Sequence, residues 1–267
     1  MKESKISKIF KELKKEGKKA FIPYIMAGDP SLERTKDIVL MFEECGADIV
    51  ELGVPFTDPL ADGPTIQRAS ERALKAGVTL KKVIAFVKDL RQSTQMPIVL
   101  MTYYNPVFKY GEENFVKDTK DAGVDGMIIP DLPPDEAENF IKLSRKAALD
   151  TIFLLAPTST INRIKKVVKT STGFIYYVSI TGITGAKLLL DGSIEALISE
   201  IKKYTRKPIA VGFGVSTPDE ASAVARVSDG VIIGSAILKR VQDQRLNESP
   251  DTLRSYLISL REAINTP

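Results

Sequence analysis

The stretch ADIVELGVPFTDPLADGP (Ala47–Pro64) reads as one unit: a buried strand, a stiff loop and the start of a helix. Ala47, Asp48, Ile49 and Val50 form a short β-branched apolar run, and Gly53, Pro55, Pro59, Gly63 and Pro64 then forbid regular structure. Pro64 opens the helix at its first position, where a missing N–H costs nothing. Glu51 is therefore expected at the strand's C-terminal end, with Asp58 and Asp62 on the loop that follows. Three carboxylates in one rigid loop after a buried strand make an active-site layout, although each acid taken singly reads equally as a loop cap or turn aspartate.

Working outward, the same unit recurs. Short β-rich runs at Ala20–Met26, Ala47–Glu51, Pro97–Met101, Asp125–Ile129, Thr151–Leu155, Gly173–Ser179, Ile209–Gly212 and Val231–Ile233 alternate with amphipathic segments. Leu32–Cys45 carries Leu32, Ile38, Val39, Met41 and Phe42 on a broad apolar face, and Leu80–Leu90 carries Val83, Ile84 and Val87. Strands apolar on both faces and separated by crossover helices call for a parallel sheet, and eight such units predict a single (β/α)8 barrel domain over residues 1–267. An open doubly wound sheet is the alternative, but AGDP stands after the first strand where its dinucleotide fingerprint would be. Two additions decorate the barrel. Ile6, Ile9, Phe10 and Leu13 at helical spacing predict an N-terminal helix capping one end, and Pro64–Ala76 followed by Leu80–Thr94 gives the second βα unit an additional helix.

Composition excludes several function classes. The chain has no histidine, which removes Ser-His-Asp and Cys-His nucleophile systems, His-ligated zinc and any imidazole base, leaving acid–base work to carboxylates, tyrosine or lysine. The net charge of +4 arises from basic and acidic residues mixed along the chain, so nucleic acid is not implied, while an anionic small ligand stays open. The single cysteine, Cys45, reads as a packing residue and suits a reducing, cytoplasmic setting. No run approaches the length of a membrane span, and Glu3, Glu12 and Glu16 argue against reading the first helix as a transit peptide.

Glycines gather after the last three predicted strands: Gly182-Ile183-Thr184-Gly185, then Gly212-Phe213-Gly214-Val215-Ser216, then Gly234-Ser235. Glycine lets backbone N–H groups approach an anion, and a helix beginning at Ser235 adds partial positive charge, so a phosphate fits between these loops. Singly, each pair serves equally as turn geometry.

With these residues in view the chain resembles the tryptophan synthase alpha chain family. The carriers are PYIMAGDP (Pro23–Pro30), ELGVPFTDPLADGPTIQ (Glu51–Gln67), MTYYNPVF (Met101–Phe108), the Pro130–Pro133 turn, GITGA (Gly182–Ala186) and GFGVSTP (Gly212–Pro218). The resemblance implies retro-aldol cleavage of indole-3-glycerol phosphate to indole and glyceraldehyde 3-phosphate, a lyase step in tryptophan biosynthesis needing no metal or organic cofactor in this chain. It implies that Glu51 exchanges a proton with indole C3 and takes one from the glycerol hydroxyl, and that Asp62 accepts the indole N–H. Tyr176 would stand near the glutamate, and Thr184 would bond the aspartate upon loop closure. Gly185, Gly214, Gly234 and Ser235 correspond to the phosphate cradle, and Tyr24, Leu100 and Met127 to the indole pocket.

Two departures stand out: Ile180 replaces an arginine common in relatives, and Tyr24 replaces a frequent phenylalanine. The resemblance also implies a beta chain partner carrying pyridoxal phosphate, joined in an α2β2 heterotetramer, with Pro55, Phe56, Asp58 and Pro59 facing it. A stand-alone indole producer and an inactive activator of a beta chain share these motifs. A lysine Schiff-base aldolase fits poorly, since no predicted strand ends in lysine.

Overall fold

The computed structural model describes residues 3–178, 192–212, 214–244 and 250–266. Among them the elements follow in the order α1 (Lys5–Lys15), β1 (Ala20–Met26), α2 (Leu32–Glu44), β2 (Val50–Gly53), α3 (Pro64–Lys75), α4 (Leu80–Leu90), β3 (Ile98–Met101), α5 (Tyr104–Tyr110) and α6 (Glu112–Asp121). There follow β4 (Gly126–Ile128), α7 (Glu138–Lys146), β5 (Asp150–Ile152), β6 (Leu154–Leu155), α8 (Ile161–Thr170), β7 (Ile175–Val178) and α9 (Ser193–Lys202). The chain closes with β8 (Ile209–Gly212), α10 (Pro218–Val227), β9 (Gly230–Ile233), α11 (Ser235–Gln244) and α12 (Pro250–Asn265).

Every strand pairing is parallel, in the order β5-β4-β3-β2-β1-β9-β8-β7-β6. The two ends of that order, β5 and β6, are halves of one predicted strand separated only by Phe153, so the sheet curls into a barrel with eight strand positions. This is the predicted (β/α)8 TIM barrel. The Phe153 carbonyl still accepts the Tyr176 N–H at 3.2 Å, carrying the ladder across the break.

Strand alternation divides the apolar residues into two layers. Ala20, Ile22, Ile49, Val99, Ile128, Ile152, Phe174, Ala210 and Ile232 fill the barrel interior, while a larger core lies between strands and helices. As predicted, α1 closes one end: Ser4 caps it by accepting the Ser7 N–H, and Ile6, Phe10 and Leu13 join the interior cluster. Phe10 meets Phe174 there with ring centroids 5.6 Å apart. The additional helix is also present, α3 and α4 both lying between β2 and β3.

The second strand starts later than predicted. Ala47, Asp48 and Ile49 precede it, and the strand runs from Val50 through Glu51 to Gly53, so Glu51 lies inside the strand with two residues beyond it. The reason is a device used three times on this end of the barrel. Asp48, Asp125 and Asp229 each stand just before a strand and accept the N–H of a residue in the neighbouring strand, Phe21 at 2.8 Å, Ile98 at 3.0 Å and Ile209 at 2.9 Å. A carboxylate so engaged binds the sheet edge from outside the ladder. Arg261 and Arg91 pair with Asp48 and Asp125, tying α12 and the end of α4 to the same edge. Cys45 is buried at the end of α2, as expected of a packing residue.

Candidate active site

At the opposite end of the barrel, β2 holds Glu51 level with Tyr24 of β1 and Val99 of β3. The side chain is 1% exposed, and its Oε2 has no hydrogen-bond partner among the described residues. A buried carboxylate without donors is costly when charged. Burial, and then the charge of Asp62, push the Glu51 pKa up to about 8.

Asp62 lies on the β2–α3 loop and is half-buried. The loop is shaped by its own bonds, the Asp62 N–H donating to the Pro59 carbonyl at 3.0 Å and the Gln67 amide to the Asp62 carbonyl at 2.9 Å. Burial raises the Asp62 pKa to about 6, against a hydrogen bond from Tyr103 that holds it down. Near neutral pH the two acids thus stand in opposite states, Glu51 protonated and Asp62 ionised. That is a donor and an acceptor for protons side by side.

Tyr24 and Tyr176 complete the wall. Both are raised well above the usual tyrosine pKa, by burial first and then by the two carboxylates. Each rests on a glycine of the next strand. A Cβ on Gly53 would fall on the Tyr24 hydroxyl, and one on Gly212 on the Tyr176 hydroxyl, well inside van der Waals contact. The glycines therefore admit the two rings to the barrel mouth.

Leu100 and Met127 require correction as pocket residues. They pair with each other and with Leu52 on the outward side of the sheet, in the core beneath the helices. Their neighbours Met101 and Ile128 belong to the inward layer, one step beyond the level of Glu51. A shift of one residue in a strand exchanges its faces.

The phosphate residues divide. Gly234 and Ser235 stand at the start of the ten-residue α11, whose first backward bond runs from the Leu238 N–H to the Gly234 carbonyl. The N–H groups of Ser235, Ala236 and Ile237 precede that bond, which is the arrangement that receives an anion. Gly214, at φ 20°, follows β8 on the same end of the barrel. Gly185, Thr184 and Ile180 lie outside the described residues, so their expected roles stay as expectations.

The expected partner-facing loop is less exposed than its sequence suggests. Pro55 is buried, and Phe56 is half-buried with its ring stacked on Tyr103 at 5.2 Å between centroids, so Phe56 is no free anchor. Asp58 is exposed and accepts the Thr57 hydroxyl at 2.6 Å, and Pro59 is half-buried. In that loop Leu60 protrudes, 94% exposed, and Phe108 on α5 is 67% exposed; Ile161, Tyr204 and Ile258 are exposed elsewhere.

Tyr103 is the residue that sequence reading passed over. Its hydroxyl accepts the Ala61 N–H at 3.0 Å and helps hold the Asp62 pKa down, while its ring carries Phe56. The available signal was its place within MTYYNPVF: an aromatic residue with a polar tip directly after a barrel strand.

Among the described residues, no group of three metal-ligating side chains converges, and no helix is long and apolar enough to cross a membrane. The profile of the family described as tryptophan synthase alpha chain matches residues 10–264. The tryptophan synthase alpha chain of Geotalea uraniireducens is 48% identical over 261 residues, covering 98% of each chain. That of a Thermoanaerobacter species is 45% identical over 262 residues, covering 98% of this chain and all of the relative. Among solved structures, the tryptophan synthase alpha subunit of Legionella pneumophila superposes with a TM-score of 0.90 at 36% identity, covering 98% of both chains. A Mycobacterium tuberculosis tryptophan synthase structure superposes with a TM-score of 0.91 at 35% identity, covering 99% of both.

Proposed function

The chain belongs to the tryptophan synthase alpha chain family, lyases of tryptophan biosynthesis that cleave indole-3-glycerol phosphate, and on that premise we propose that Glu51 and Asp62 carry the cleavage as its acid–base pair. The chemical difficulty is the leaving group. Indole cannot depart as a C3 carbanion at reasonable cost, so C3 must be protonated before the carbon–carbon bond breaks. Glu51, neutral at pH 7 because it is buried, gives its proton to C3. The ring becomes an iminium whose N–H is held by ionised Asp62. The Glu51 carboxylate then takes the proton from the hydroxyl on the adjacent glycerol carbon. That oxygen forms the aldehyde, the C3–C bond breaks, and its electron pair returns to the ring to neutralise the iminium. The balance is one proton moved from hydroxyl to C3, with Glu51 protonated again at the end.

The observation that carries this assignment is that Glu51 is buried with its Oε2 unpartnered among the described residues, below a loop holding half-buried Asp62, in a chain without histidine; burial raises the pKa of both acids, that of Glu51 further. Tyr24, Tyr176, Met101 and Ile128 are proposed to enclose the indole. Gly214, Gly234 and Ser235 are proposed to hold the phosphate, with Gly185 added by resemblance.

The partner is a beta chain, which holds the pyridoxal phosphate of the pair, and we propose an α2β2 assembly in the cytoplasm with the β2–α3 loop against that partner. Exposed Leu60 and Phe108 support this, being apolar groups on the catalytic end of the barrel. Indole release from indole-3-glycerol phosphate by wild type, Glu51→Gln and Asp62→Asn tests the assignment. Each substitution is expected to lower turnover by roughly a hundredfold or more. Retention of wild-type turnover by Glu51→Gln would remove Glu51 from the chemistry.

A further inference from the structure

The charge that looks evenly mixed along the sequence is gathered by the fold at the barrel's other end. A cleft of about 740 Å3 opens there between α1, the turn into β1 and the segment joining α9 to β8. Lys11, Lys14, Lys18 and Lys19 line one side, and Lys202, Arg206 and Lys207 the other, against a single carboxylate, Asp229. Those seven cations exceed the net charge of +4 on the whole chain, so the remainder of the protein is net acidic.

Two of the lysines are fixed without being neutralised. Lys19 donates to the Ser228 carbonyl at 2.6 Å, and Lys207 to the carbonyls of Val168 and Ser171, each at 2.6 Å. Neutral carbonyls orient an ammonium and leave its charge in place. Lys202 stands 3.6 Å from Asp229, and the Lys11–Glu3 and Lys18–Glu16 pairs are exposed and worth little. The side chains of Lys14 and Arg206 are exposed and make no hydrogen bond or ion pair among the described residues. Burial pulls the pKa values of both Lys19 and Lys207 down; at Lys19 the charge of Asp229 opposes this and that of Lys202 adds to it, and at Lys207 the charge of Arg145 adds to it. Lys19 and Lys207 thus serve the ends of two helices as well, while the charges of the cluster taken together favour an anion in the cleft.

We propose that this cleft binds a small anion of two or three linked phosphates, on the face of the barrel opposite Glu51. The volume falls within the range of small-ligand sites. Lysine ammonium groups act as point charges suited to phosphate oxygens approached from several directions. Nucleic acid fits less well, since the one aromatic residue of the lining, Phe10, is 6% exposed and packed on Phe174, leaving no platform on which a base can stack.

Calorimetric titration of the full-length chain with inorganic tripolyphosphate tests the proposal. Saturating glycerol 3-phosphate is included to occupy any phosphate site on the catalytic face. One saturable site is expected, weakened at least about tenfold by the combined substitutions Lys14→Glu and Arg206→Glu and weakened again by raising the salt from about 50 to 300 mM. Indole release by the same variant is expected at the wild-type rate, which shows that it is folded. The proposal is overturned by an absence of saturable binding or by equal binding to the variant. Tighter binding of single-stranded RNA through the same two residues would overturn it in favour of nucleic acid.

Discussion

Replacing Glu51 with glutamine removes an ionisation while keeping the shape and the burial of the side chain. The folded pKa of Glu51 is raised to about 8 from 4.5, so its neutral form favours the native state. The sign follows directly: the contribution is fully present below pH 4.5 and is lost as pH rises through 8, because the unfolded chain gives up the proton first. Between roughly pH 6.5 and 8 this one group should lower wild-type stability by about 1.5 kcal/mol, approaching the limit of about 1.4 kcal/mol per pH unit for one proton. Little discount for solvent applies, since the side chain is 1% exposed. Asp62, with its pKa near 6, has largely finished titrating in that window and contributes similarly to both proteins. Urea unfolding at several pH values across the window measures the difference. Glu51→Gln should hold its stability while wild type declines. Parallel profiles for the two proteins would refute the raised pKa, and with it the reason for regarding Glu51 as the proton donor at neutral pH.

Three further outcomes are expected. Tyr103→Phe removes a hydrogen bond that holds the Asp62 pKa down, so the acid limb of the pH profile of kcat/KM should move to higher pH. An unchanged limb would separate Tyr103 from Asp62. Gly212→Ala places a Cβ on the Tyr176 hydroxyl and should cost about 1–3 kcal/mol while displacing that ring, measured as a lowered unfolding midpoint together with weaker substrate binding. Asp58→Ala alters an exposed loop residue outside the acid pair, so activation by a beta chain should fall while cleavage by the isolated chain persists. Equal loss in isolated chain and complex would assign Asp58 to the chemistry instead.

The barrel was legible because its signals repeat: each apolar run is followed by a helix with one apolar face, and eight repetitions leave few arrangements. Ends of strands were less legible. Ala47 and Asp48 extend an apolar-looking run, but the Asp48 carboxylate is engaged by the Phe21 N–H and by Arg261, contacts made by residues distant in sequence. The faces of β3 and β4 were misjudged for a related reason. Leu100 and Met101 are equally apolar, as are Met127 and Ile128, and only the register against Glu51 and Gly53 turns one of each pair inward. Phe56 reads as exposed in a polar loop until Tyr103 is seen beneath it. The carboxyl pair itself was legible in ELGVPFTDPLADGP, because proline and glycine confine Asp62 to the neighbourhood of the strand bearing Glu51. What raises the pKa values of the two acids is burial, which arises only when the barrel mouth is packed.

The central claim is that the Glu51 carboxyl delivers a proton to indole C3. Exchange at that carbon reports it directly: indole is incubated with the chain and glyceraldehyde 3-phosphate in deuterium oxide, and the C3 proton signal is followed by NMR. Wild type should replace that proton with deuterium, and Glu51→Gln should leave it at the uncatalysed rate. Exchange by Glu51→Gln at the wild-type rate would contradict the account.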